Sequence, residues 1–425
     1  MAGFERLQAD WLSYGDALAR VLADARPTPA TPLAPARALG RSLAAPVVAR
    51  ATLPSWPNSA MDGFAVRSGD LRDTSSGSIR LPVAGHSYPG SVPIDDVPPG
   101  AAIRIMTGGP VPVGFDSVIR VEHTDGEASA GFVEVHRTED VGRHIRSPGK
   151  DMRRGDETVP AGAVVHSGTL PVIMASGAES LAVFRRPRVG VLSSGDELVG
   201  QDRFDLVVEG RGIPDTNRDM IAAAVAEAGG VPVDLGVAPD DPDALKAALE
   251  SVEGVDVLVS TGGASMGEKD LLKRILLGLA FRLDFWRARV RPGSPLSFGH
   301  LRRGAGDLPV FGLPGNPASA FVTFHVFVAP YLRAMLGSRR PAGTTVTAVT
   351  ETPLGSPPRL TQFYRVRFLP PHAPGEAERC TLTGPQGSGL VRSLRDAEGL
   401  AVVPEGTSRI EAGDRVSVLL LPGRQ

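Results

Sequence analysis

Residues 255–272 read VDVLVSTGGASMGEKDLL. Val255, Val257, Leu258 and Val259 fit a short interior strand. Leu271, Leu272, Ile275 and Leu276 recur at helical spacing, so the intervening segment joins a strand to a helix. Ligands of α/β folds bind at such joints. Gly262, Gly263 and Gly267 let the backbone approach a ligand closely, and the amides that open the next helix attract anions. No Gly-Lys-Ser/Thr follows, which excludes a Walker loop, and GGASMG lacks the GxGxxG order of dinucleotide folds. Glu268 and Asp270 suit Mg²⁺ bridged to a phosphate, or a solvated acidic helix start that complements the dipole.

Outward from this stretch, strands and helices alternate over residues 183–337. RVGVLSS is followed by a helix from Thr216 to Ala228, VPVDLGV, a helix from Pro242 to Ser251, VDVLVS and a helix from Lys269. A strand near Leu308 to Leu313 and a long apolar helix from Pro317 to Leu336 complete the series. Such alternation predicts a doubly wound parallel sheet. Three loops share one design: Ser194, Gly195, Asp196 and Glu197 after one strand, the 262–270 loop after another, and Pro314, Gly315, Asn316 and Ser319 after a third. In a parallel sheet all three converge on one rim. FWRARVRPGSPLSFG, residues 285–299, adds a strand from Phe285 to Arg291 with Arg287, Arg289 and Arg291 alternating onto one face. That face suits a tetrahedral oxyanion, or is a solvated basic edge.

The flanking segments differ in texture. Phe4, Leu7, Trp11, Leu12, Leu18, Val21 and Leu22 form an apolar stripe on an opening helix, offered to the body of the chain or to a second subunit. Short β-like runs fill residues 49–143, and LPSWPNSAMDGFAV (53–66) packs Asn58, Ser59, Asp62 and Gly63 into a polar loop that a plain side-chain-stabilised turn also explains. The expected division is an N-terminal helical, dimerisation domain (1–48 and 144–182), an inserted small β domain (49–143), the α/β domain (183–337) and a small C-terminal β domain (341–425).

A chain of 425 residues, 42% hydrophobic, exceeds one core. Its net charge of −2 and lack of a basic run argue against nucleic acid as a partner. Cys380 is the single cysteine, which excludes an intrachain disulfide and points to the reducing cytoplasm. The charged N-terminus is neither a signal peptide nor a membrane span, and no other window suits a bilayer.

Together LPSWPNSAMDGFAV, IMTGGPVPVGFDSVIRVEHT, VLSSGDELV, DTNRDM, STGGASMGEKD, RPGSPLSFG and LPGNPASAF resemble, in order, the signature of the molybdopterin molybdenumtransferase family, related to the E domain of gephyrin. The resemblance implies an elongated homodimer whose cleft lies between the α/β domain of one subunit and the SAMDG-bearing domain of the other. It implies adenylylated molybdopterin and molybdate as substrates, release of AMP, and Mg²⁺. The adenylylating enzyme of the same pathway is a candidate partner. By the same resemblance Asp62, Glu197 and Asp270 are catalytic, and Asp196, Glu197 and Asp270 hold the metal. Thr107, Arg146, Asp151, Ser194, Gly195, Gly262, Gly263, Ser265, Arg291, Ser294, Pro314, Gly315, Asn316 and Ser319 bind substrate. Arg365 and Ser388 match C-terminal positions associated with molybdate. Two departures stand out. Arg291-Pro292-Gly293-Ser294-Pro295 replaces Lys-Pro-Gly-Lys-Pro, removing one cation for which Arg289 or Arg287 is a candidate substitute, and Trp56-Pro57 replaces Phe-Asp. A divergent paralogue, handling another oxyanion or lacking insertion, and a dimeric scaffold remain alternatives.

Overall fold

The computed structural model describes residues 11–71, 77–262, 281–303, 306–371 and 377–423. The loop and helix expected after Gly262, with Gly263, Ser265 and Asp270, lie outside the described residues.

The central sheet has six strands in the order Val231–Ala238, Arg188–Ser194, Val257–Thr261, Leu308–Leu313, Ser297–Leu301, Phe281–Trp286. The first four are parallel, and the last two run antiparallel as a hairpin on one edge. Strand 257–261 is buried along its whole length, which its unbroken run of apolar and small residues allows. Helices Asn217–Glu227 and Pro242–Glu250 make crossovers; the second starts on Asp241, whose carboxylate accepts from Ala244 N at 2.8 Å. From strand 188–194 the chain visits the neighbour on one side, then the neighbour on the other. The strand order therefore reverses between 188–194 and 257–261, where an open α/β sheet leaves a crevice at its carboxyl ends.

The sequence-derived strand from Phe285 to Arg291 is corrected here. The sheet strand ends at Trp286, because Arg287 takes φ +79° and turns the chain away. Val290–Arg291 instead pairs with Thr361 and Gln362 of the C-terminal sheet. The three arginines therefore share no strand face.

The long apolar run Pro317–Met335 is helical throughout, with a π-helical turn at Phe324–Val328, and most of it is buried inside the protein. Helix Tyr14–Asp24, capped by Ser13, lays wholly buried Ala17 and Val21 into the same core, with the Tyr14 ring edge-on to Phe327 and Phe363. The described part of the opening stripe thus packs within its own chain.

A five-stranded sheet in the order Ser117–Arg120, Gly63–Val66, Ala102–Ile105, Ile79–Ser87, Phe132–Val135 carries the SAMDG loop at the start of its second strand. Beside it, strand pairs Ala30–Leu33 with Leu181–Phe184 and Val47–Val48 with Glu157–Val159 enclose a separate core around Leu43, Ile173 and Val183. At the C-terminus, Thr361–Leu369, Arg379–Leu382, Thr345–Thr350, Arg415–Leu420 and Gly399–Val403 close into a ring through the pairing of the first with the last. Closure leaves these strands without a free edge among themselves.

Candidate functional site

Three strand ends meet at the rim of the central sheet. Gly262 has φ +92°, and a Cβ there would lie 2.3 Å from Ser194 O, so the two loops touch backbone to backbone. A Cβ on Gly315 would come within 3.5 Å of Gly262 Cα, which places the third loop beside them. Asn217 Nδ2 donates to Gly315 O at 2.7 Å, fastening the third loop to the first crossover helix. Below, the Ser193 hydroxyl lies between Asp215 Oδ1 at 3.2 Å and Thr261 Oγ1 at 3.1 Å. Arg218 pairs with Asp215 and also with Asp234 at 2.7 Å. Asp215, Asn217 and Arg218 were not singled out by the loop pattern; their signal was DTNRD spanning the start of a helix. Ser194 Oγ and Asn217 Oδ1 are buried at this rim with no hydrogen-bond partner among the described residues. Buried polar atoms left open at a crevice are what a polar ligand would satisfy.

Asp196 and Glu197 follow, both exposed. Asp196 accepts from Asp240 N at 3.0 Å, while the Glu197 carboxylate folds over Gly195, where a Cβ would meet it at 2.7 Å. Neither acid has an ion pair among the described residues.

Helix 317–323 gathers the other candidates. Pro314 and Ser319 are buried, whereas Gly315 and Asn316 are exposed. Ser388 O accepts from Ala318 N at 2.9 Å, bringing the C-terminal ring to the rim. Gly293 packs so tightly on Thr323 that a Cβ would lie 2.3 Å from its methyl carbon. The Ser294 hydroxyl donates to Val290 O at 2.6 Å and closes the turn. Arg291 is exposed beside Tyr364, with no ion pair among the described residues. Arg289 is committed elsewhere: Nη1 donates to Trp11 O at 2.7 Å and Nε pairs with Glu405 at 2.9 Å. Arg287 lies over the Trp11 ring. Both guanidiniums are thus engaged by residues within the fold. Arg365 is wholly buried, with Nε donating to Ser393 Oγ at 3.0 Å and Nη2 to the carbonyl of Gly387, while Nη1 has no partner among the described residues. Burial pulls its pKa down to about 10.

Asp62, Thr107, Arg146 and Asp151 assemble on a second surface. Asp62 Oδ1 accepts from Thr107 N at 2.7 Å and from Thr107 Oγ1 at 2.8 Å, which holds its carboxyl below the usual range. Asn58 is paired across strands with Arg146, and Asp151 N donates to Leu53 O at 3.1 Å. Behind them Asp140, 1% exposed, accepts from Arg120 N and Nε and lies about hydrogen-bond distance from His123 Nδ1 (2.9 Å) and His144 Nε2 (3.0 Å). Ala60 N donates to His144 O, so this hub backs the SAMDG loop. No hydrogen bond or ion pair among the described residues joins this surface to the rim.

Family models match in chain order: "MoeA N-terminal region (domain I and II)" over residues 12–177, "Probable molybdopterin binding domain" over 190–334 and "MoeA C-terminal region (domain IV)" over 347–421. The molybdopterin molybdenumtransferase of Bacillus subtilis (strain 168) is 34% identical over 90% of this chain and 88% of its own length. The chain belongs to the molybdopterin molybdenumtransferase family. Molybdopterin molybdenumtransferase 2 of Mycobacterium tuberculosis (strain ATCC 25618 / H37Rv) is also 34% identical, over 90% of this chain and 93% of its own length. The crystal structure of the molybdopterin biosynthesis moeA protein from Pyrococcus horikoshii OT3 superposes with a TM-score of 0.82 at 25% identity, covering 97% of this chain and all of that one.

Proposed function

We propose that this chain is a transferase that inserts molybdenum from molybdate into adenylylated molybdopterin and releases AMP. The observation that carries the reading is the crowded rim, where Ser194 O, Gly262 and Gly315 leave no room for a Cβ on Gly262 and where Ser194 Oγ and Asn217 Oδ1 await partners among the described residues. Backbone amides and hydroxyls at strand ends suit the terminal phosphate of the pterin and its adjoining pyrophosphate.

Asp196 and Glu197 fit the needs of Mg²⁺, which binds through one or two carboxylates together with substrate phosphates; Asp270 is the third acid of this set. The ion, when bound, neutralises charge on the pyrophosphate. Exposed Arg291 would supply positive charge for molybdate, and Ser388, whose carbonyl accepts from Ala318 N at the start of helix 317–323, a polar contact, with buried Arg365 bonded to Gly387 O beside it. Asp62, Thr107, Arg146 and Asp151 would face the rim of a second copy, so the working unit is a homodimer with composite sites. The division into domains at residues 1–48 with 144–182, 49–143, 183–337 and 341–425 belongs to this reading.

The purified chain should release AMP from adenylylated molybdopterin only with molybdate and a divalent cation, and the product should activate a cofactor-free molybdenum enzyme. AMP release that ignores molybdate, or a product that activates nothing, would remove the reading.

A further inference from the structure

A second cleft, of about 240 Å³, lies away from the rim, between the N-terminal lobe and two helices of the α/β domain. Ser42 and Val164 line it from the lobe, Glu227 from the end of helix 217–227, His325 and Arg333 from the long buried helix, and Pro422 from the C-terminus. Its polar groups are poorly satisfied. Ser42 is 6% exposed, and its hydroxyl has no partner among the described residues. His325, 4% exposed on the π-helical turn, stands edge-on to Phe321 and Phe324, and its imidazole makes no hydrogen bond among the described residues. The Arg333 guanidinium folds back so that Nε donates to Ala329 O at 3.2 Å, but it has no ion pair among the described residues.

Ser42 Oγ, buried with no partner among the described residues, is costly to leave unmet, and His325 and Arg333 of the long helix line the same cavity. π-Helical turns are rare in helices and are frequent at functional sites. Burial, helped by Arg333, pulls the His325 pKa down to about 3, so the ring is neutral and offers one donor and one acceptor. Arg333 is then the cation of the interior, with the Glu227 carboxyl at one wall.

We propose that this cleft binds a small anion, a carboxylate or a phosphate, with its charge on Arg333 and its remaining polar atoms on His325 and Ser42. A guanidinium fork matches either group, and Glu227 disfavours a ligand of high negative charge. The volume falls below that of drug-sized pockets, so the occupant is a small metabolite or ion. It would tie the N-terminal lobe to two helices that begin at the rim: one starts with Asn217, the donor to Gly315 O, and the other follows Asn316.

The test is calorimetric titration of the full chain with inorganic phosphate and, separately, with succinate, at millimolar concentrations and without pterin. Saturable binding of one probe per chain is expected, weakened about ten- to a hundredfold in Arg333→Gln. Ser42→Ala should weaken it by a smaller factor, and Arg291→Ala should leave it unchanged. Arg333→Lys preserves the charge but not the fork, so it should bind with intermediate affinity; it and Ser42→Ala carry the test if Arg333→Gln melts early. Phosphate without succinate binding would assign the site to phosphates, and the reverse to carboxylates. Binding of neither probe would leave only water in the cleft, and binding abolished by Arg291→Ala would move the ion to the rim; either result overturns the proposal. The readout does not involve molybdenum transfer, so it can fail while the proposed function stands.

Discussion

Asp62 is exposed, yet two hydrogen bonds from Thr107 hold its carboxyl below 3.8. A depressed folded-state pKa stabilises the fold above the ordinary carboxylate value, and that contribution is lost as pH falls through the depressed pKa. Solvent makes the contribution small at this exposed site, so the ionisation itself is the quantity to read. In a carbon-detected titration the Asp62 midpoint should lie below 3.8, and Thr107→Val should move it up toward the usual value. At Ser294 two effects oppose. Ser294→Lys breaks the bond to Val290 O, which costs about 0.5–1.5 kcal/mol of stability. The same change restores a cation near Arg291, and molybdate dependence of cofactor formation should shift to lower concentration. Arg289→Ala should cost about 1 kcal/mol of stability through loss of Glu405 and Trp11 O, seen as a lower melting temperature. It should leave molybdate dependence alone, because this guanidinium is committed within the fold.

The strand-to-loop joint is the element on which the site rests. Gly262→Ala would put a methyl group 2.3 Å from Ser194 O at φ +92°. The loops would have to separate, so the denaturation midpoint should fall by an equivalent of more than about 1 kcal/mol, and AMP release should fall further. Sequence periodicity located this joint because strand 257–261 opens on an apolar run and the crossover helix before it starts on Asp241 and Pro242. The same method failed over residues 285–291. Alternation of arginines mimics a strand face, but a positive φ at a non-glycine residue has no pattern to announce it. The chain turns at Arg287 because Val290–Arg291 finds its partner in strand 361–369, some seventy residues later in the sequence.

At the scale of the whole molecule, no hydrogen bond or ion pair among the described residues joins the two surfaces bearing candidate residues, and the proposed composite site calls on a second copy to bring Asp62 to a rim. Light scattering should give a mass near twice 44.4 kDa. Mixing inactive Asp62→Asn with inactive Asp270→Asn should recover part of the activity, since one of the two composite sites would be wild type. A monomer at micromolar concentration, or no recovery on mixing, would dismiss the composite site.

By itself the sequence determined the alternation of strands and helices, the glycine-bearing strand ends and the polar SAMDG loop, because these follow from local periodicity and from positions where a side chain cannot fit. Tertiary structure alone decided which side chains are free to act. Arg287, Arg289 and Arg291 look alike in the chain, but Trp11 and Glu405 engage two of them and leave the third exposed. Asp140, plain in the sequence, gathers Arg120 and His123 beside His144 only when two segments meet. Charge and hydrogen bonding at a site depend on neighbours distant in the chain, and no local pattern carries their positions.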